Sequence, residues 1–244
     1  MITDFDKNEL TNTEHKTSLR ILFNKKTTGR YIRELYSLAN FDCNLTRYIS
    51  LKGYDIERTN TKHLTKLTNN RFLSNSQKFF ILKLTNNTLI FNDRKAKFDR
   101  NTTSYCSGCF INSRTLIQEN IIHAIVECNQ FDLQRNFVKN LFNLTEFGER
   151  EFRQIDCLGG YATENKTLSF FINLIIIYFV QYIHRYRADV RSYNNIEHIK
   201  VFLKNELTFL QTRNNIKFNR IFRYLSNDPQ YEGLIDSIRN VSFF

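Results

Sequence analysis

Four residues in the middle of the chain are of types that do chemistry together. Cys106 and Cys109 flank Ser107 and Gly108; thirteen residues then lead to His123, and four more to Cys128. Thiolates and a neutral imidazole are the donors that zinc gathers into a tetrahedron, and Cys-x2-Cys lets one short turn aim two of them at a single point. Gly108 eases that turn. QENIIHAIVEC, Gln118 to Cys128, reads as a helix, on which His at i and Cys at i+5 converge only if the last turn loosens. Four protein donors leave no open position, so the expected cofactor is a structural Zn2+ rather than a hydrolytic one. The competing reading is three ordinary buried cysteines and a core histidine; the paired spacing favours the metal. Cys43 and Cys157 have no such neighbours and read as small core residues.

The elements that would position these ligands read as helices. One Pro and 7 Gly leave few breakers and few tight hairpins in 244 residues, which favours a mainly α fold carrying one small zinc site. Residues 1–15 lack periodicity, and the second half of Ser18–Leu38 repeats at helical spacing. Residues 56–70, ERTNTKHLTKLTNNR, are polar and basic and read as a linker or a solvated face. A boundary there divides the chain into an N-terminal helical segment with a polar linker, 1–70, and a zinc-containing helical domain, 71–244. Phe72–Phe91 gives one helix before Asn86 and Asn87, then a turn or short second helix. Phe131, Leu133, Phe137, Leu141 and Phe142 fall at helical spacing, and further helices are predicted over 195–211 and 215–226. LSFFINLIIIYFVQYI, Leu168 to Ile183, is the strongest apolar run. About 16 residues interrupted by Asn173 and Gln181 fall short of the ~20 a bilayer span needs, so a buried core helix with a basic end is the preferred reading over a membrane helix.

Composition narrows the partner. Lys and Arg number 35 against 24 Asp and Glu, a net charge of +11, which favours an anionic partner such as RNA or DNA. An Asn-, Ile-, Lys- and Phe-rich composition from AT-biased coding would raise the Lys count without any such partner. Arg94, Lys95, Lys97 and Arg100 form the densest basic cluster, just ahead of the first cysteine, and Arg114 lies between the ligand pairs. These cations would contact phosphate, or help neutralise the thiolates. Tyr105 and Phe110 flank the cysteine pair and either stack on unpaired bases or pack beside the metal. The start MITDFDKNEL is polar and acidic, so no secretory signal is read there and the chain is expected inside the cell, in cytoplasm or nucleus. Five cysteines in a reducing compartment suit metal or free thiols rather than disulfides. No Gly-rich phosphate loop or Ser/His/Asp set is legible, and Glu149 and Glu151 read as a solvated face.

The string CSGCFINSRTLIQENIIHAIVEC resembles the Cys-Cys-His-Cys segment downstream of the polymerase in reverse transcriptases of non-LTR retrotransposons. That segment has an acidic residue four positions ahead of its His, as Glu119 stands ahead of His123. By the resemblance Glu119 shares a helix face with His123 and orients the imidazole; a solvated carboxylate is the equal alternative. FFILKLTNNTLIFNDRKAKFD and the helix ending in FVQYIHRYR are similar to the family's flanking stretches, so the likeness covers 72–190 in outline and 106–128 in detail. The chain has no Asp-Asp pair to hold catalytic metals, and its one proline, Pro229, is preceded by Asp228 and followed by Gln230, so the Pro-Asp and later acidic-x-Lys signature of the family's nuclease is missing also. The resemblance therefore implies a domain that is not an enzyme and has no small-molecule substrate. It binds nucleic acid, either free-standing or as part of a longer polymerase polyprotein. A zinc-stabilised protein–protein interaction module, docking through the 168–183 helix, is the alternative.

Overall fold

The apolar run from Leu168 to Ile183 decides the architecture, because a helix apolar on all sides must be covered all round. The structure is a computed structural model, and it describes residues 44–54, 58–70, 73–143, 152–213, 215–233 and 235–236. Its α-helices are α1 (Asn44–Leu51), α2 (Arg58–Leu67), α3 (Asn75–Thr85), α4 (Asn92–Lys95), α5 (Ser107–Ser113) and α6 (Asp132–Asn143). They continue as α7 (Asp156–Gly159), α8 (Lys166–Tyr186), α9 (Ile196–Arg213) and α10 (Asn215–Ser226). A π-helical turn, His123–Glu127, and a 3-10 turn, Asn129–Phe131, lie between α5 and α6. Among the described residues there is no strand, only an isolated antiparallel bridge between Tyr105 and Gln118. The fold is mainly α, as the scarcity of Gly and Pro requires. The described residues belong to one compact unit, Cys43–Phe244. The helix expected over Ser18–Leu38 and the loose end before it lie outside the described residues, as does Cys43.

Helix α8 is 21 residues long, about 32 Å at 1.5 Å per residue. Asn165 starts it, its side-chain oxygen accepting from the N–H groups of Thr167 at 3.0 Å and Leu168 at 3.2 Å, which satisfies two donors left over at a helix start. Helices α2, α6, α7 and α9 and the π turn pack around it. Length and composition alone would also suit α8 to a bilayer, but most of its apolar window is covered by the chain itself. The predicted helices at 131–142, 195–211 and 215–226 are present as the 3-10 turn with α6, α9 and α10.

The polar stretch expected as a linker or solvated face is mostly helical. Leu64 and Leu67, three residues apart on α2, are buried against α3 and α8. Two apolar residues per helix are enough to dock it, and the surrounding Thr, Lys and Asn hide that face from a reading of average polarity. Helix α3 begins with a reciprocal cap, Gln77 N–H donating to Ser74 Oγ at 3.2 Å and Ser74 N–H to Gln77 Oε1 at 2.9 Å. It ends at the Asn pair. Asn87 takes the left-handed φ of 53°, and Thr88 N–H reaches back to Lys83 O at 2.7 Å, the bond that closes many helix ends.

Asn173 is a polar residue in the middle of the core helix, and its side chain is fully used. Its oxygen accepts from Tyr161 N–H at 2.9 Å, and its amide donates to Tyr161 O and Ser169 O, both at 2.6 Å. It thus clamps the segment that follows α7, where Gly160 turns with φ 80°. Replacing it by Leu strands two buried backbone groups at about 1–3 kcal/mol each. The Asn173→Leu variant is expected to lose about 2–5 kcal/mol of unfolding free energy by urea titration; a loss under ~1 kcal/mol contradicts the clamp.

Candidate metal centre

Cys106 ends an extended segment rather than starting a helix. Its N–H donates to Ile117 O at 2.8 Å, and Glu119 N–H donates to Ser104 O at 2.9 Å. These two bonds close a short ribbon around the loop that carries the first ligand pair. Cys109 then sits on the first turn of α5, which stops at Arg114 with a left-handed φ of 54°. Gly108 is required here by close approach. A Cβ on it would lie 2.7 Å from Gln130 Cγ and 2.9 Å from the Tyr193 ring.

The second pair comes from a helix shorter and wider than the sequence suggests. Gln118 belongs to the bridge, and Asn120 caps the turn, its side-chain oxygen accepting from Ile122 and His123 N–H, both at 2.9 Å. Residues five apart on an α-helix point about 140° away from each other. Here His123 to Glu127 form a π turn, closed by Cys128 N–H donating to His123 O at 2.7 Å, and the extra residue per turn swings Cys128 toward His123. Arg135, buried on α6, holds the end of that turn by donating to Cys128 O at 2.6 Å and pairing with Asp132.

The four donors converge. Cys106 Sγ lies 3.7 Å from Cys128 Sγ, Cys109 Sγ 3.8 Å from Cys128 Sγ, and Cys109 Sγ 3.5 Å from His123 Nε2. All four ligand atoms fall within 4.8 Å of one another, and all four residues are buried. A tetrahedron with ~2.3 Å metal–sulfur and ~2.0 Å metal–nitrogen bonds has S···S edges of ~3.8 Å and S···N edges of ~3.5 Å. The site therefore has the donor types and spacing to hold a metal ion such as zinc. Without a cation the three thiols share charge unequally. The Cys128 contact pulls the Cys106 pKa well down, burial and the neighbouring Cys106 charge push Cys109 up, and the Cys106 contact together with burial pushes Cys128 up.

Glu119 is not on the helix face of His123. It lies in the ribbon, buried, with Oε1 accepting from Arg187 Nε at 2.8 Å and from Asn92 N–H at 3.3 Å. Burial raises its pKa, and the Arg187 guanidinium opposes that rise. The carboxylate nearest His123 Nδ1 is Glu127 Oε2, at 3.8 Å, and the Tyr54 hydroxyl donates to the other oxygen of the same carboxylate. The expected cations separate into two groups. Lys95, Lys97, Arg100 and Arg114 are exposed, while Arg94 is half-buried and donates to Asn87 O and Leu89 O. Arg114 sits over the Phe110 ring, 5.7 Å from its centroid. Sequence reasoning missed Arg187 and Arg135. The first was visible only as the basic end of an apolar helix, and the second carried no signal apart from its place seven residues after the last cysteine. Cys157 is a buried core thiol, whose pKa burial pushes up. No protein-family model, curated protein or solved structure matches the chain.

Gly108→Ala is expected to weaken the centre, since overpacking of this kind costs about 1–3 kcal/mol. Chelator competition should show metal held about 5-fold to 150-fold less tightly, and unchanged retention would contradict the close packing. The two upward-shifted thiols must lose their protons to a metal, so binding strengthens as pH rises. Apparent affinity between pH 6 and 8 should climb by about two log units per pH unit; a flat profile would mean that these thiols are not the ligands.

Proposed function

We propose that the chain is a non-catalytic nucleic-acid-binding domain organised by a structural zinc, comparable to the zinc-containing tail of a non-LTR retrotransposon reverse transcriptase. The observation that carries this reading is the near-tetrahedral spacing of the four buried donors next to an exposed basic loop. Four protein ligands leave no position for water or substrate. Zinc there supplies rigidity, on the order of 10 kcal/mol of local folding free energy.

The hydrogen-bonding pattern supports this division of labour. Asp93 N–H donates to Glu119 O at 3.0 Å, and Asn92 Nδ2 to Tyr105 O at 3.1 Å, so α4 and the cations around it are tied to the metal ribbon. Arg94 is engaged in holding the 87–89 turn. Of the five cations around the site, Lys95, Lys97, Arg100 and Arg114 face solvent, and contacts from such side chains to phosphate position a nucleic acid without reading its sequence. The alternative of a protein-interaction module docking through the 168–183 helix has less support, because that helix lies inside the core.

Four phosphate contacts at ~0.7–0.9 counterions each give a log–log salt slope of about −3 to −4. Fluorescence anisotropy of the metal-loaded chain on a labelled 20-mer, between 50 and 200 mM salt, should return that slope. Mass spectrometry should find one zinc per chain, lost in a Cys106→Ser, Cys109→Ser variant along with the binding. Salt-independent binding, or a protein partner retained after complete nuclease digestion, would favour the interaction module instead.

A further inference from the structure

The metal ribbon leaves aromatic surface in solvent that the fold does not use. Phe98, Tyr105 and Phe110 are 83%, 40% and 45% exposed. They account for three of the six large exposed aromatic rings among the described residues, the others being Phe79, Phe209 and Tyr224. The reason is local. In α5 the inward positions are taken by Gly108 and Cys109, so Phe110 is turned outward by the same backbone that points Cys109 at the ligand cluster. Tyr105 precedes Cys106 in the ribbon, and its side chain is likewise directed away from the thiol that follows it.

These rings stand on fixed backbone. Tyr105 is paired with Gln118 and held by Asn92 through its carbonyl. Phe110 N–H donates to Cys106 O at 3.1 Å, and Phe98 N–H closes the turn after α4 on Lys95 O at 3.0 Å. Charge accompanies the aromatic surface. From Asn92 to Gln118 the chain carries five Lys and Arg against Asp93 and Asp99. The Arg114 guanidinium over the Phe110 ring puts a cation and a stacking face within reach of one nucleotide.

Resting on the nucleic-acid reading above, we propose that Phe98, Tyr105 and Phe110 form a stacking platform for unpaired bases, with Lys97, Arg100 and Arg114 engaging the phosphates between them. The domain therefore takes single-stranded nucleic acid in preference to duplex. In a duplex the base faces are covered by their neighbours, whereas a single strand offers each face to a ring. Ring stacking tolerates any base, because every base has a π face. Ile111 and Leu116 are also exposed on this stretch, but the excess positive charge selects a polyanion over an apolar protein face.

The test uses the full metal-loaded chain and anisotropy with labelled 15-mers of dT and rU and a 15-base-pair duplex. Both single strands, or one of them, should bind at least tenfold tighter than the duplex. The dT and rU arms identify the preferred sugar. Phe110→Ala and Phe98→Ala should each weaken single-strand binding by roughly 5-fold to 100-fold while duplex affinity, salt slope and zinc content stay unchanged, and Phe110→Tyr should restore it. Equal affinity for strand and duplex, or alanine variants that bind like the parent, would overturn the platform and leave salt-dependent nucleic-acid binding standing. No binding to any of the three probes would overturn the nucleic-acid reading as well, leaving the exposed rings as a protein-docking face.

Discussion

The separation of His123 and Cys128 by five positions is the constraint on which the site depends. On a regular α-helix those side chains point to different sides, and a tetrahedral set cannot form. The bond from Cys128 N–H to His123 O widens the turn by one residue and removes the conflict. Wide turns of this kind are unfavourable alone and persist where surroundings enforce them. Here Asn120 fixes the start, Arg135 fixes the end, and α8 packs along the side. The helix core thus serves the site by making one widened turn the best available conformation.

A second tie joins the metal ribbon to that core. Arg187, just past the end of α8, bonds to Glu119, to Ile90 O at 3.2 Å and to His184 O, and its guanidinium lies 5.0 Å from the Phe91 ring centroid. Glu119 is almost fully buried and Arg187 mostly so, which makes desolvation of the pair costly; such pairs hold only when each remaining donor and acceptor is satisfied. The Asn92 N–H and the Ile90 carbonyl do that here. The ribbon is anchored at a single charged contact whose geometry admits few alternatives, so its orientation against the core is well defined.

Much of this was legible in the sequence, and the failures have identifiable causes. The clustering of Cys106, Cys109, His123 and Cys128, the core helix and the flanking helices follow from spacing and apolar period, which are local quantities. The Asn86–Asn87 turn follows from residues that tolerate left-handed backbone. Helix α2 was hidden because two buried leucines carry it among eight polar residues. Glu119 was misplaced because its four-residue offset from His123 implies one helical turn, whereas Asn120 caps the helix between them. Arg187 joins Glu119 across 68 positions, which no local window of sequence contains, whereas Arg135 acts within ten residues but on backbone carbonyls, which carry no side-chain signal. Exposure of Phe98, Tyr105 and Phe110 was equally out of reach, because it depends on which side of the backbone the ligands consume.

The two ways in which the ribbon is tied down differ in chain length. Cys106 and Cys128 are 22 positions apart, and Glu119 and Arg187 are 68 apart. Closing the shorter loop costs about 1 kcal/mol less chain entropy. The metal ligands are also complete once residue 128 has been synthesised, well before Arg187. A growing chain can therefore bring these four residues near one another before the core helix exists, and the wide turn that aligns them is completed only when α6 and α8 pack against it.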